Sequence, residues 1–233
     1  MRANEFLIEG RTHPVICVDV QPAYDRSFEE GRGYAPKLLE IMEFVQGQTG
    51  QVLMFVNAEE TGITEDDMQD IQRYWEDALC GFEDEEDRYD YDMDTDEVVP
   101  KECDTEMNWS NVTMVDKGYG YFRAWMDSGV PESMIIKVIR EMYQQKVTDS
   151  RMLFDGEDDN DYVDNMNKLM GSDSYENLYD DQLSVEWTSV VQLRRFNGAY
   201  IVGGGRDECL REVELLMNAF NIKYKRIDSL VYG

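Results

Sequence analysis

The sequence predicts an α/β protein, a three-layer fold built on a mainly parallel sheet. Three observations carry that reading. Pro14–Val20 and Gln51–Val56 are short, nearly continuous apolar runs, the pattern of strands buried on both faces. Between them Leu38, Ile41, Met42 and Val45 recur at helical spacing, so the three segments form a strand–helix–strand unit with a right-handed crossover. Near the other end, Ala199–Val202, a run of glycines, and Leu210, Val213, Leu216, Met217 and Phe220 repeat the alternation of strand and helix.

The remaining elements follow in order. Pro36 suits the first turn of the first helix, where its missing N–H costs nothing. Residues 59–106 turn strongly acidic, and within them Asp66–Leu79 reads as a helix with Met68, Ile71, Trp75 and Leu79 on one face. Glu83–Glu97, rich in Asp and Tyr, reads as a solvated charge run. Val112–Val115 is a third strand that delivers Asp116 and Lys117 into a glycine-tyrosine loop. Glu132–Gln145 is an amphipathic helix through Ile135, Val138, Ile139 and Met142, and Asp155–Asp181 is a second acidic stretch. A short helix over 190–196 leads into the Ala199–Val202 strand, and Ile222–Ile227 alternates like an exposed or edge strand. Four or five strands interleaved with helices make one domain over 1–233, with insertions at about 59–110 and 123–197.

Composition bounds the function. The chain of 233 residues is 42% hydrophobic and 12% aromatic, enough for a core. Fifty acidic against 22 basic residues give a net charge of −28, a surface that repels phosphate backbones, so no nucleic-acid partner is expected. No apolar run approaches the roughly 20 residues of a membrane span, and the N-terminus lacks the pattern of a secretory signal. A cytoplasmic protein with no membrane partner is the expectation. Cys17, Cys80, Cys103 and Cys209 are scattered, and His13 is the single histidine. No metal site and no cofactor are expected from so sparse a donor set, and the spacing of the cysteines gives no sign of an oxidising compartment.

The chemistry gathers at strand ends. In an open parallel sheet, ligands bind beyond the carboxyl ends of the strands. Asp19 follows the first strand, Lys117 the third, and Cys209 enters a helix just past Gly203-Gly204-Gly205. A sulfur in the first turn of a helix faces backbone N–H groups and the positive end of the helix dipole, which favour thiolate; Asp207 and Glu208 beside it act in the opposite sense. A thiolate attacks an amide carbon, a carboxylate relays the proton, a lysine ammonium stabilises both anions, and a glycine turn offers N–H groups to an oxyanion.

Three motifs in this order, Val18-Asp19-Val20-Gln21, Lys117–Phe122 and Gly203–Cys209, resemble those of the isochorismatase-like cysteine hydrolases. The resemblance implies an isochorismatase-like fold carrying acidic insertions. It implies Asp19 as general base, Lys117 as electrostatic partner and Cys209 as nucleophile. The oxyanion donors would be the N–H groups of Gly205 and Cys209, with a cis peptide between Gly204 and Gly205. Gln21, Tyr24, Tyr119, Phe122 and Gly204 would line a substrate pocket. The implied activity is hydrolysis of a small amide or related C–N substrate through a thioester; the alternative is a catalytically silent relative serving as a structural or partner-binding component. One histidine cannot supply the Asp-His-His metal cluster of the family's nicotinamidases. Assembly with copies of itself is expected on either reading.

Two other patterns fall short. The glycine run lacks the third glycine of a dinucleotide-binding turn, since Glu208 stands there. Asp90, Asp92, Asp94 and Asp96 mimic a calcium loop, but Thr95 replaces its glycine and Lys101 its final acid. His13, at the entrance of the first strand, reads as structural.

Overall fold

Four buried residues, Val15–Val18, form β1 at the centre of a five-stranded sheet. Each is apolar because each face of the strand meets a different core. Ile16 and Val18 point into one apolar cluster, and Val15 and Cys17 into the other. The computed structural model describes residues 12–56, 63–82, 88–92, 97–101, 103, 107–116, 120–144, 182–183, 191–206 and 209–233.

After β1, a 3-10 turn at Pro22–Tyr24 and a single helical turn α1 (Arg26–Glu29) lead to α2 (Pro36–Gln46), whose buried residues are Leu38, Ile41, Met42 and Val45, the four expected from spacing. Strand β2 (Val52–Val56) is buried throughout and pairs in parallel with β1. Helix α3 (Glu65–Cys80) opens on a capping box. The Asp67 N–H donates to Thr64 Oγ1 at 3.1 Å, and the Thr64 N–H donates to Asp67 Oδ2 at 2.8 Å. Its buried face is Ile71, Tyr74, Trp75 and Ala78. That face is turned from the expected one, because Met68 and Leu79 sit at its margins while Tyr74 and Trp75 reach polar partners in the loop after β1.

The described part of the expected solvated charge run is exposed, and it also carries regular structure. Strands β3 (Tyr89–Asp92) and β4 (Glu97–Pro100) form an antiparallel pair of their own. Asp90 and Asp92 lie on β3; Asp94 and Asp96 lie outside the described residues. Cys80, the last residue of α3, is joined by a disulfide to Cys103 beyond β4, with their Cα atoms 5.7 Å apart. Reading the four cysteines as scattered missed this pairing, which the fold makes by bringing the end of α3 back beside the hairpin.

Strand β5 (Val112–Asp116) pairs with β2 and forms one edge of the main sheet. The short strand β6 (Gly120–Tyr121) pairs with β7 (Gln182–Leu183), and α4 (Phe122–Asp127) and α5 (Glu132–Gln144) follow β6. Ile135 and Val138 are buried; the side chains of Ile139 and Met142 lie outside the description, as does the acidic stretch 155–181. Leu193 and Phe196, around a 3-10 turn at Arg194–Phe196, close the same core. Strand β8 (Ala199–Gly203) pairs with β1 on the side away from β2, α6 (Cys209–Ala219) crosses over, and β9 (Tyr224–Val231) pairs with β8. The last strand is the edge that its alternation predicts.

The order β5-β2-β1-β8-β9 is parallel throughout. Helices α2 and α3 cover one face, and α5 and α6 cover the other. The chain winds outward from β1 to β5, then returns to build the other half from β8. The reversal falls between β1 and β8, so the crevice of this α/β sheet opens beyond Val18 and Gly203. Both stretches read as insertions contribute a crossover helix, α3 and α5, to these layers. Among the described residues no helix is long and apolar enough to cross a membrane.

Candidate active site

Close approach of two backbones builds the crevice floor. The Gly204 N–H donates to the Val18 carbonyl at 3.0 Å, just past the last β1–β8 pair, Val18 with Gly203. Gly203 adopts φ +113°, and a methyl group on it would collide with the Val18 carbonyl oxygen. Glycine is required twice over there, by conformation and by space.

Asp19 leaves β1 on the other side of this contact. It is 1% exposed and takes the left-handed φ of +56°, shared among the described non-glycine residues only with Asn221. Its N–H donates to the Phe55 carbonyl at 2.9 Å, and its own carbonyl accepts from the Tyr232 hydroxyl. The following loop is held from α3. Trp75 Nε1 donates to the Val20 carbonyl at 2.8 Å, and the Tyr74 hydroxyl donates to Asp25 Oδ2 at 2.6 Å. Asp25, fully buried, also accepts the N–H groups of Ser27, Phe28 and Ala35 at 3.0–3.2 Å. It is a structural anchor, signalled in sequence only as an Asp two residues before Ser27 at a helix start. Burial, then the bond to Asp25, pushes the Tyr74 phenol far above its ordinary range, so it remains a donor. Gln21 is buried in the same loop, and Tyr24 is exposed.

Cys209 is the first residue of α6, as its position after the glycine turn predicts, and it is partly buried against the core on that face. The Leu210 N–H donates to the Gly205 carbonyl at 3.1 Å, tying the glycine turn to the helix start. The peptide bond between Gly204 and Gly205 is trans, since the described residues contain no cis bond. The cis turn implied by the resemblance is therefore corrected: the left-handed glycine at 203 reverses the chain with trans bonds.

Sequence reasoning did not nominate Tyr232, whose hydroxyl reaches the Asp19 carbonyl. The Tyr232 phenol is pushed far up, first by burial, then by the negative charge of Asp19. No motif flags Tyr232; it follows the edge strand and carries no sequence signature. Lys117 and Tyr119 lie outside the described residues, as do Asp207, Glu208 and the side chain of Phe122. Cys17 is buried in the sheet, and burial followed by the Asp19 charge drives its thiol far upward, which makes it inert.

A concavity of about 470 Å³ lies at the opposite end of β8, where Lys137, Arg194, Asn197 and Phe220 line it. His13 is also at that end and stacks on Tyr200 with ring centroids 5.3 Å apart. Among the described residues no group of three His, Cys, Asp or Glu side chains is arranged to hold a metal ion. No family model, curated protein or solved structure matches this chain.

Proposed function

We propose that the chain is an isochorismatase-like cysteine hydrolase acting on a small amide or related C–N substrate. The observation that carries this is that a buried, left-handed Asp19 ends β1 while Cys209 opens the helix after β8, the two strands being paired at the sheet's reversal point. The Cys209 thiolate attacks the substrate carbonyl carbon after its proton passes to Asp19. The oxyanion takes N–H donors from Gly205 and Cys209. The C–N bond breaks as Asp19 returns the proton to the leaving nitrogen, which leaves a thioester. Water, deprotonated by Asp19, hydrolyses the thioester and frees the thiol. Lys117 is assigned the role of stabilising the two anions. A metal has no part in this scheme.

The test is a screen of small amides and ureido compounds with wild type, Cys209→Ala and Asp19→Asn. Turnover lost in both variants supports the reading; turnover unchanged in Cys209→Ala sinks it. A catalytically silent, partner-binding role is the second reading, favoured by the packing of Cys209 on the core. It predicts Cys209 alkylation in the folded protein at least about tenfold slower than in urea, as for an inert buried thiol.

A further inference from the structure

Tyr232 is joined to both halves of the crevice. Its N–H donates to the Gly203 carbonyl at 3.1 Å, and its carbonyl accepts from the Arg206 N–H at 3.0 Å. Its backbone thus runs along the glycine turn beyond the end of β9. Its ring lies flat enough on Gly204 that any side chain there would run into it. From that seat its hydroxyl donates to the backbone carbonyl of Asp19, 213 residues away in sequence. The Asp19 peptide is therefore held at both ends, by Phe55 at its N–H and by Tyr232 at its carbonyl.

That hold bears on an unfavourable conformation. A left-handed φ at a non-glycine residue costs of order 1–3 kcal/mol and persists only where the surroundings impose it. Rotating the backbone of Asp19 out of this region would redirect its carboxyl. The residue that opposes this rotation from the β8–β9 side is Tyr232.

We propose that Tyr232 is a positioning residue, whose hydroxyl fixes the left-handed Asp19 backbone and thereby aims the Asp19 carboxyl at Cys209. Gly204 is its partner in this task, because only glycine leaves room for the ring. The phenol stays protonated throughout the ordinary pH range, so the hold does not come and go with pH. This inference rests on the assignment of Asp19 as the base for Cys209, and deepens it.

The experiment follows carbamidomethylation of Cys209 by iodoacetamide across pH, read by mass spectrometry, in wild type, Asp19→Asn, Tyr232→Phe and Gly204→Ala. Removing the Asp19 charge moves the midpoint of the rate profile to lower pH, by about one unit or more for a carboxylate close to a thiol. Tyr232→Phe keeps the ring and loses the hydroxyl; its profile moves in the same direction by about half that amount. Gly204→Ala keeps the hydroxyl but expels the ring, and its profile moves as Tyr232→Phe does. It thus serves as the second route to the same result should one variant fold poorly, with circular dichroism as the check. A shift in Asp19→Asn with wild-type profiles in both other variants overturns the positioning role alone. A wild-type profile in Asp19→Asn overturns the pairing of base and thiol, and the inference with it. A loss of melting temperature without a profile shift marks Tyr232 as structural and also overturns the proposal.

Discussion

The crevice at the β1–β8 junction and the β3–β4 hairpin are both places where chain segments distant in sequence meet, and they are held by opposite means. At the junction the strand contact is buried: Val18, Asp19 and Gly203 are closed from solvent, and backbone hydrogen bonds run between adjoining strands and turns. At the hairpin, Tyr89, Tyr91 and Val98 are 46%, 53% and 66% exposed, so little apolar burial holds it. The Cys80–Cys103 disulfide and an Arg88–Asp77 ion pair both tie its open end to α3. A buried junction tolerates no added atom, whereas a tethered surface element tolerates much and depends on its tethers.

The largest expected effect is at the junction. Gly203→Ala adds a methyl group against the Val18 carbonyl and forces alanine into φ +113°. Strain and overpacking together cost about 3–5 kcal/mol, seen as a much lower urea midpoint or failure to fold. A melting curve like that of wild type would show that the two strands are not in fact closed on each other.

Reducing the disulfide comes next. It frees a loop with a sequence separation of 23, worth about 3 kcal/mol by chain entropy. Amide exchange should accelerate over 88–101, while Cys209 alkylation stays unchanged. If reduction alters both, the hairpin and the crevice are one cooperative unit and the contrast fails.

Tyr74→Phe removes one donor from the buried Asp25 carboxyl and costs about 1–3 kcal/mol. Its pH dependence has a definite sign. The folded-state value of the phenol lies above the ordinary 10.0, so the tyrosine contributes stability fully below pH 10 and loses it as pH rises beyond. Denaturation curves at pH 8 and pH 10.5 should therefore lie further apart in wild type than in Tyr74→Phe.

The smallest effect is at the exposed start of α3. Thr64→Ala removes the capping box at about 1 kcal/mol. The side-chain bond from Thr64, then that from its backbone, holds the Asp67 carboxyl below its ordinary value. This contribution is present above the unfolded carboxylate value and fades as pH falls through the lower folded one. The difference between wild type and Thr64→Ala should shrink in acid, measured by thermal melts from pH 6 to pH 2.

How much was legible varies by element, and the variation has physical causes. Helix α2 buries the four residues its spacing names, because it lies on the sheet as an ordinary amphipathic helix. Helix α3 turns its face toward Tyr74 because two of its aromatic residues carry polar ends, and hydropathy spacing ignores where those ends find partners. The hairpin hid in a charge run: alternating Tyr and Asp in β3 is also a strand's period of two, but with no apolar face to announce it. Asp19 and Cys209 were legible because strand ends and helix starts are local features. Tyr232 was not, because its role comes from a hydrogen bond across 213 residues.

By itself, then, the sequence determined the alternation of strand and helix, the parallel character of the sheet, and the placing of a carboxyl and a thiol at strand and helix ends. These follow from side-chain periodicity and glycine chemistry, which act over a few residues. The tertiary structure alone decided the strand order, the joining of Cys80 to Cys103, and the seating of Tyr232 on Gly204 beneath Asp19. Those depend on which segments approach in space, and close approach is set by the packing of the whole sheet and its two helical layers.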